Sequence, residues 1–392
     1  MLTEFHAQLE RELAEGLGQL AARNQLRSLV QVRGVNLCSN DYLGLSEHPA
    51  LRSALLEAIS GAARVGGTGS RLLSGHSGAW EEVEAEFARF AGTESALYFG
   101  SGYAANLGLL TSLLGKEDLV FSDALNHSSL IDGIRLSGAR REIYPHRDMN
   151  ALAEALRSRE GTAARKVIVS ETVFSMDGDV APLAQIFALA DRHGAGVILD
   201  EAHATAVHGP DGRGIAAQLG LVEASVAIVH TASKALASVG AFVCGSSLLK
   251  QHLVNHARTF LFTTALPGYM ALQIQAALRL ARGMSSERGG LLAKARRFAA
   301  QLAEDGWDIA AGVSQIIPLI VGENEDALGA ARFLEQEGFA VRAIRPPTVP
   351  PGTSRLRLSV TVRTPENEME RLRDSLAMWR ASEWRVTAAG CR

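Results

Sequence analysis

Five short apolar runs, most of them separated by stretches of helical pattern, constrain the fold of this 392-residue chain more than any other feature. They are Leu119–Phe121, Lys166–Ser170, Val197–Asp200, Ala227–His230 and Ala241–Cys244. Because fully apolar strands must be covered on both faces, this alternation is typical of a parallel or mixed sheet with helices on each side. The sequence therefore predicts an α/β protein whose functional residues lie where the strands end.

The same pattern predicts three segments along the chain. Residues 1–45 are expected to form an N-terminal helical arm and linker, with a helix over residues 1–30. Residues 46–275 would form a large domain around a mostly parallel sheet. Residues 276–392 would form a smaller C-terminal α/β domain, and the arm is expected to pack against it.

Composition narrows the possible partners and the compartment. The net charge of −3 provides no general attraction to nucleic acid or to an anionic membrane. No apolar run is long enough for a membrane span, and the acidic first twenty residues do not resemble a signal peptide. Three widely spaced cysteines favour a reducing compartment. We therefore expect a cytoplasmic protein without nucleic-acid or membrane partners.

The run that ends in Asp200-Glu-Ala-His203 has several possible chemical interpretations. A helicase would need a GxxxxGK[ST] phosphate loop, which the sequence lacks. A zinc hydrolase would need HExxH, and a serine hydrolase GxSxG, and neither occurs, so no metal is expected. From this segment by itself, a capping role for Asp200 and a surface position for His203 stay open.

The next run ends in Thr231-Ala-Ser-Lys234, which places a lysine one strand after the acid. Pyridoxal 5′-phosphate (PLP) requires a lysine for its Schiff base and an acid that keeps its ring nitrogen protonated. Its phosphate requires donors such as the amides of a helix N-terminus. Phe99-Gly-Ser-Gly102-Tyr103 provides a strand, a glycine turn and the start of a helix. The sequence thus predicts a PLP site.

In this order the motifs resemble those of the α-oxoamine synthases, a family with the aspartate-aminotransferase fold (fold type I). The resemblance covers roughly residues 23–376. It rests on these segments: Ser39-Asn-Asp-Tyr-Leu-Gly44, the Gly66–Gly78 loop, Ser101-Gly-Tyr-Ala-Ala-Asn106, Asn126-His-Ser-Ser129, Glu171-Thr-Val-Phe-Ser-Met-Asp-Gly178, Asp200-Glu-Ala-His203 and Thr231-Ala-Ser-Lys234.

The resemblance implies four catalytic residues and a set of cofactor contacts. Lys234 would form the Schiff base, Asp200 would pair with the ring nitrogen, His203 would bond the ring hydroxyl, and His127 would stack on the ring. Further cofactor contacts would come from Gly102, Tyr103, Ser175 and Thr231, and, across a homodimer with shared active sites, from Thr263 and Thr264.

The segment over residues 343–358 most resembles the family members that join L-alanine to a pimeloyl thioester in biotin biosynthesis, with loss of carbon dioxide. The thioester carrier would be coenzyme A or acyl carrier protein. Arg345 would hold the amino-acid carboxylate, for which a two-pronged donor is well shaped. Arg23, Asn40, His127 and Thr348 would also contact the substrates.

Two alternatives remain open at this point. One is a sister synthase that uses glycine, and the other is a non-catalytic subunit, which would be expected to lose Lys234 or Asp200. The chain also departs from the family where glycines are usual: Ser233 precedes the lysine, and Ala237 and Ser238 follow it.

Overall fold

A computed structural model describes residues 2–309 and 314–390 of the chain. Along these residues the strands are β1 (Val35–Asn36), β2 (Ser95–Phe99), β3 (Leu119–Asp123), β4 (Arg140–Tyr144), β5 (Lys166–Glu171), β6 (Ala195–Asp200), β7 (Ala227–Thr231), β8 (Ala241–Gly245), β9 (Ile316–Gly322), β10 (Phe339–Ala340), β11 (Ala343–Ile344) and β12 (Ser354–Ser359).

The helices that connect these strands are α1 (Leu2–Ala22), α2 (Pro49–Ser60), α3 (Gly78–Ala91), α4 (Gly102–Leu113), α5 (Ser128–Ser137), α6 (Met149–Arg157), α7 (Leu183–His193), α8 (Ile215–Gln218), α9 (Ser247–His256), α10 (Arg258–Leu261), α11 (Tyr269–Gly283), α12 (Ser285–Glu304), α13 (Asn324–Gln336) and α14 (Glu366–Gly390). Within residues 2–309 and 314–390, none of them is long and apolar enough to cross a membrane.

The central sheet contains seven strands in the order β2-β8-β7-β6-β5-β3-β4. The strands from β7 to β4 run parallel, whereas β8 is antiparallel to both of its neighbours. β2 therefore runs in the same direction as the parallel strands, and its C-terminal end lies at the same edge as theirs. The expected mostly parallel α/β sheet is confirmed, and it brings the ends of β2, β3, β5, β6 and β7 together.

Both faces of this sheet are covered, as its apolar strands require. On one face, Leu109 of α4 and Leu130 of α5 belong to a buried cluster with Val229 of β7. On the other, Phe87 of α3 stacks on Phe242 of β8 with ring centroids 3.9 Å apart. The packing on both sides fixes the strand ends, so side chains placed there are held on a rigid platform.

Two elements that the apolar-run pattern did not predict are β4 and α12. β4 is the edge strand of the sheet, and Arg140, Arg141 and Glu142 of this strand are exposed or half-exposed. Because an edge strand is covered only in part, it carries no continuous apolar run. α12 begins with Ser285-Ser-Glu-Arg-Gly-Gly, which lacks the apolar spacing of a helix face.

The N-terminal helix ends at Ala22, so the prediction of a helix over residues 1–30 is wrong beyond that residue. Asn24 adopts the left-handed conformation with φ 53°, and the amide of Gln25 donates to the carbonyl of Leu20 at 2.8 Å. This closes the helix in the manner of a C-terminal cap, for which asparagine is a suitable residue.

After α1 the arm reaches the C-terminal part of the chain. β1 pairs in parallel with β10, and Asn324 donates through its side chain to the carbonyl of Arg23 at 2.9 Å. A three-stranded antiparallel sheet, β11-β12-β9, lies in the same region. The division at residues 45 and 275 stays a prediction, and Met1, residues 310–313 and residues 391–392 lie outside the described part of the chain.

Candidate active site

Asp200, His203 and Lys234 meet at the C-terminal edge of the central sheet. Asp200 is the last residue of β6, and Lys234 follows the adjacent strand β7 by three residues. Nζ of Lys234 lies 2.9 Å from Nε2 of His203, and Nδ1 of His203 lies 2.7 Å from the hydroxyl of Tyr42. The strand register thus brings together three of the residues that the sequence selected.

Asp200 is held by donors to both of its carboxylate oxygens. Nδ2 of Asn106 donates to Oδ2 at 2.7 Å, and the amide of Ala202 donates to Oδ1 at 2.8 Å. Two such bonds fix the orientation of a buried carboxylate and stabilise its charge. Asp200 is therefore arranged as a fixed anion that can receive a protonated ring nitrogen.

Burial sets the protonation of the lysine and the histidine. It lowers the pKa of Lys234 to about 8, against the opposing effect of the neighbouring Asp200 charge. It also lowers the pKa of His203 well below its usual value, and the charge of Lys234 acts in the same direction. At neutral pH His203 is neutral, and a fraction of Lys234 is the free amine that can act as a nucleophile or a base.

The glycine turn after β2 opens directly onto this edge. Ser101 caps α4 by accepting from the amide of Ala104 at 3.0 Å. A Cβ at Gly102 would lie 3.0 Å from Cγ2 of Thr231, so the site tolerates only a small residue there. The N-terminus of this twelve-residue helix, with Thr231 beside Gly102, suits an anionic phosphate.

His127 is the residue that precedes α5 and caps its N-terminus. Its Nδ1 lies 2.7 Å from Oγ of Ser129, and the same hydroxyl accepts from Nδ2 of Asn106 at 2.9 Å. His127 is therefore connected to Asp200 through Ser129 and Asn106. Tyr103 presents its ring edge to His127, with 6.5 Å between the centroids, and donates through its hydroxyl to Asp132.

A cavity of about 670 Å³ adjoins this group of residues. Its lining includes His127, Ser175 and Met176 and the segment over residues 346–351, which contains Thr348. A second cavity of about 760 Å³ lies between α2 and the start of α11, and its lining contains none of the predicted catalytic residues. The first cavity is therefore the candidate substrate site.

Arg345 is buried and contacts the N-terminal arm. Its guanidinium donates to the carbonyls of Asn24 and Leu26, the latter at 3.3 Å. Thr348 is exposed and accepts from Arg27 at 3.3 Å. These contacts hold the arm next to the candidate substrate cavity.

Three other predicted residues lie at the surface of the chain. Arg23 is exposed at the end of α1, and Thr263 and Thr264 are exposed between α10 and α11. The loop that carries the two threonines packs on the Gly66–Gly78 loop, where the amide of Ala265 donates to the carbonyl of Gly69 at 2.9 Å. Arg23 is predicted to contact a substrate, and Thr263 and Thr264 are predicted to contact the cofactor across a homodimer.

Arg357 is a residue of the site that the sequence reasoning missed. It is buried on β12 and donates to Oδ1 of Asn40 at 3.1 Å and to the carbonyl of Ser175 at 2.5 Å. Its charge lowers the pKa of both Lys234 and His203. The signal was present in the sequence, because Arg357 lies in the Arg-Leu-Arg strand that follows Arg345.

Asn106, Tyr42 and Glu171 were also missed as individual residues. Each lies inside a motif that the sequence had already singled out. Asn106 ends Ser101–Asn106, Tyr42 lies within Ser39–Gly44, and Glu171 begins Glu171–Gly178. A polar residue at the buried side of a helix, such as Asn106, indicates a required hydrogen bond. This signal could have identified Asn106 from the sequence.

The departure from glycine at residue 237 has a structural consequence. Ala237 adopts the left-handed conformation with φ 45°, which glycine reaches without strain. Its amide donates to the carbonyl of Lys234 at 2.8 Å, so the turn after the lysine is closed despite the extra methyl group.

Comparison with known proteins agrees with this geometry. A family model described as aminotransferase class I and II matches residues 32–376. The structure is similar to a serine palmitoyltransferase from Sphingomonas wittichii, with a TM-score of 0.88 and 28% identity, covering 96% of this chain and 98% of that one. A serine palmitoyltransferase from S. paucimobilis, solved with a bound adduct of PLP and myriocin, gives a TM-score of 0.86 at 29% identity, covering 96% and 98%.

Fold and site together define a fold type I, PLP-dependent enzyme, and the chain belongs to the aminotransferase class I and II family. A relative from Burkholderia vietnamiensis is 46% identical over 350 residues, which cover 87% of this chain and 86% of the relative. That relative is an 8-amino-7-oxononanoate synthase, and this chain belongs to the same family.

Proposed function

We propose that the chain is an acyltransferase that condenses L-alanine with a pimeloyl thioester to give 8-amino-7-oxononanoate, carbon dioxide and the free thiol carrier, for biotin synthesis. The observation that carries the proposal is the 2.9 Å contact between Lys234 and His203 beside a carboxylate fixed by Asn106. The name of the similar protein from Burkholderia vietnamiensis supports the particular product. The chain would act in the cytoplasm.

The residues present fit PLP. Lys234 would bind it covalently, Asp200 would hold its ring nitrogen, and His203 its ring hydroxyl, with His127 against one face. The turn at Gly102 and Tyr103, with Thr231 and Ser175, would supply further contacts. When bound, PLP would withdraw electrons from the amino-acid Cα.

Lys234 would also move the proton in the reaction. A pKa of about 8 leaves part of the amine unprotonated near neutral pH, so Nζ can remove the Cα proton of L-alanine. After the new carbon–carbon bond to the acyl group has formed and carbon dioxide has left, Nζ would return a proton to the same carbon. His203, held neutral by burial, can accept or donate a hydrogen bond to Lys234 without competing for a proton.

Arg357 and Arg345 are both candidates to bind the carboxylate of L-alanine. We propose that Arg357 binds it. Arg357 bonds the neutral acceptors Asn40 and Ser175, and its charge acts on Lys234. Arg345 bonds the carbonyls of Asn24 and Leu26 in the N-terminal arm. Arg345 would then fix the arm that closes the acyl channel, with Asn40 beside the substrate.

Exchange of each arginine for lysine separates the two assignments. Arg357→Lys is expected to raise the KM for L-alanine roughly 10- to 100-fold, because lysine cannot form the bidentate pair with a carboxylate. Arg345→Lys is expected to change that KM less than about 3-fold and to raise the KM for the thioester instead. Steady-state kinetics with each substrate varied in turn provide the measurement. A larger increase in the KM for L-alanine in Arg345→Lys than in Arg357→Lys would instead assign the carboxylate contact to Arg345.

The remaining contacts would involve the acyl substrate and a second subunit. The pimeloyl chain would occupy the cavity of about 670 Å³ beside His127 and Thr348. Arg23 of the N-terminal arm would contact the far end of the pimeloyl chain. The carrier is coenzyme A or acyl carrier protein. Thr263 and Thr264, which are exposed here, would reach the phosphate in the partner of a homodimer.

The proposed reaction predicts a measurable order of substrates. L-Alanine with a pimeloyl thioester should be turned over faster than glycine or L-serine with the same thioester. One methyl group in a fitted pocket is worth roughly 10- to 200-fold in kcat/KM, so the preference over glycine should fall in that range. Product formation from each amino acid, with pimeloyl, acetyl, succinyl and palmitoyl thioesters compared, is the test. Faster turnover of glycine with acetyl-coenzyme A, or of serine with palmitoyl-coenzyme A, would overturn the proposal.

A further inference from the structure

Glu171 is a buried acid of the site to which the mechanism above gives no role. It is the last residue of β5 and is paired in register with Asp200, the last residue of β6, with 2% of Glu171 exposed. Two carboxyl groups therefore lie side by side at adjacent strand ends. Both cannot be ionised in a buried site without a large electrostatic cost.

The hydrogen bonds determine which of the two acids remains charged. Asp200 accepts from Asn106 and from the amide of Ala202, one bond to each oxygen. Oε1 of Glu171 is buried and has no hydrogen-bond partner among residues 2–309 and 314–390. An unpaired oxygen is much less costly to bury in a neutral carboxyl than in a carboxylate. Glu171 is therefore the neutral member of the pair.

The groups that face Glu171 from the surrounding elements act in both directions. Burial and the Asp200 charge raise the pKa of Glu171 well above its usual value, whereas Lys234 and the amides of His127 and Ser175 lower it. Lys234 is an incomplete counter-charge, since its own pKa is about 8 and its Nζ contacts His203. The neutral form of Glu171 is the result.

The amide contacts also indicate what Glu171 does. His127 belongs to the loop after β3, and Ser175 belongs to the loop after β5, and both line the same cavity. The carboxyl of Glu171 interacts with the backbone amides of both loops. Its own amide donates to Oδ1 of Asn126 at 3.1 Å, which adds a second link to the His127 loop. Glu171 thus connects two loops that line the cavity.

We propose that Glu171 is a positioning residue that, as a neutral carboxylic acid, ties the His127 loop to the Ser175 loop and so fixes two loops that line the cavity for cofactor and substrate. The roles of His127 and Ser175 at the cofactor rest on the proposed function. The charge state of Glu171 does not depend on it, because it follows from the strand register and the burial.

Three variants of the holoenzyme test this role. Glu171→Gln keeps the shape, the acceptor oxygen and the neutral charge, and it should retain cofactor affinity and kcat within about 5-fold. Glu171→Ala removes the acceptor for both amides, and it should weaken cofactor binding roughly 10- to 100-fold. Exposed Glu82 provides the matched control, since Glu82→Gln should change neither quantity. If Glu171→Gln lost as much as Glu171→Ala, the residue would act as a charged group and the proposal would be wrong.

The proton on Glu171 can be observed without any turnover. The infrared difference between wild type and Glu171→Gln should contain the carbonyl band of one protonated carboxyl at neutral pH. A difference spectrum is required because burial also raises the pKa of Glu201 to about 8, which adds a second such band. Absence of the band overturns the proposal about Glu171 but leaves the acyl-transfer reaction untouched. Loss of the reaction with the band present would refute the proposed function instead.

The pH dependence of stability provides a second test of the protonation of Glu171. The unfolded pKa of a glutamate is about 4.3, and the folded pKa of Glu171 is higher. The stability that neutral Glu171 contributes is therefore fully present below about pH 4.3 and is lost as the pH rises through the folded pKa. Relative to Glu171→Gln, the melting temperature of wild type should fall as the pH rises from about 4.3 through the folded pKa of Glu171. A rise over that range would mean that the carboxylate form is preferred.

Discussion

Replacement of Lys234 by alanine is expected to abolish turnover and to remove the visible absorbance of the lysine–cofactor imine. Two functions are lost together, since the same Nζ would bind the cofactor and move the Cα proton. A positioned proton-transfer group contributes about 10²- to 10⁴-fold by itself, so the combined loss should exceed roughly 10³-fold in kcat. Absorbance spectra and product formation from L-alanine measure the two losses separately.

The control for this variant is another lysine of the chain. Lys116 is exposed and lies after α4, so Lys116→Ala should keep both the spectrum and the activity. Borohydride treatment followed by peptide mapping adds an independent check, since the reduced cofactor should be attached at residue 234. Attachment at a different lysine, or a reducible imine that persists in Lys234→Ala, would contradict the assignment.

The second large effect is expected for Asp200→Asn. The amide preserves the size of the side chain, but it has no charge with which to hold a protonated ring nitrogen. Cofactor should still bind through Lys234 and the Gly102 turn, whereas removal of the alanine Cα proton should slow by roughly 10²- to 10⁴-fold. Exchange of that proton with deuterium, followed by nuclear magnetic resonance, measures the step directly.

Two comparisons make the Asp200 result interpretable. Asp191→Asn changes an exposed acid at the end of α7 and should leave the exchange rate unaltered. Asn106→Ala removes the bond to Oδ2 of Asp200 while keeping its charge, and so should lie between wild type and Asp200→Asn. Wild-type exchange in Asp200→Asn would mean that the carboxylate does not support carbanion formation.

The central sheet and three residues of the site were predictable because their signals are local. A strand buried on both faces must be apolar, so β3, β5, β6, β7 and β8 are visible as runs in the sequence. Asp200 and Lys234 could be selected because each follows directly on such a run, and parallel strands end at one edge. His203 follows Asp200 by three residues and therefore lies at the same edge of the sheet.

Elements without a continuous local signal were not predictable. β4 carries arginines and a glutamate because it is the edge of the sheet, and which strand is the edge is decided by strand order. The end of α1 was set eight residues too late because the stop depends on the left-handed conformation of Asn24, which the apolar pattern does not indicate.

The sequence by itself determined that this chain forms an α/β fold with an acid, a histidine and a lysine at one sheet edge. Only the tertiary structure decided the partners of those residues, such as Tyr42, which meets His203 across 161 positions of the chain. It also placed Arg357 near Lys234, paired Glu171 with Asp200, and directed Arg345 to the N-terminal arm. The physical reason is that a hydrogen bond or a pKa depends on distances of a few ångströms between segments, and these are set by register and packing.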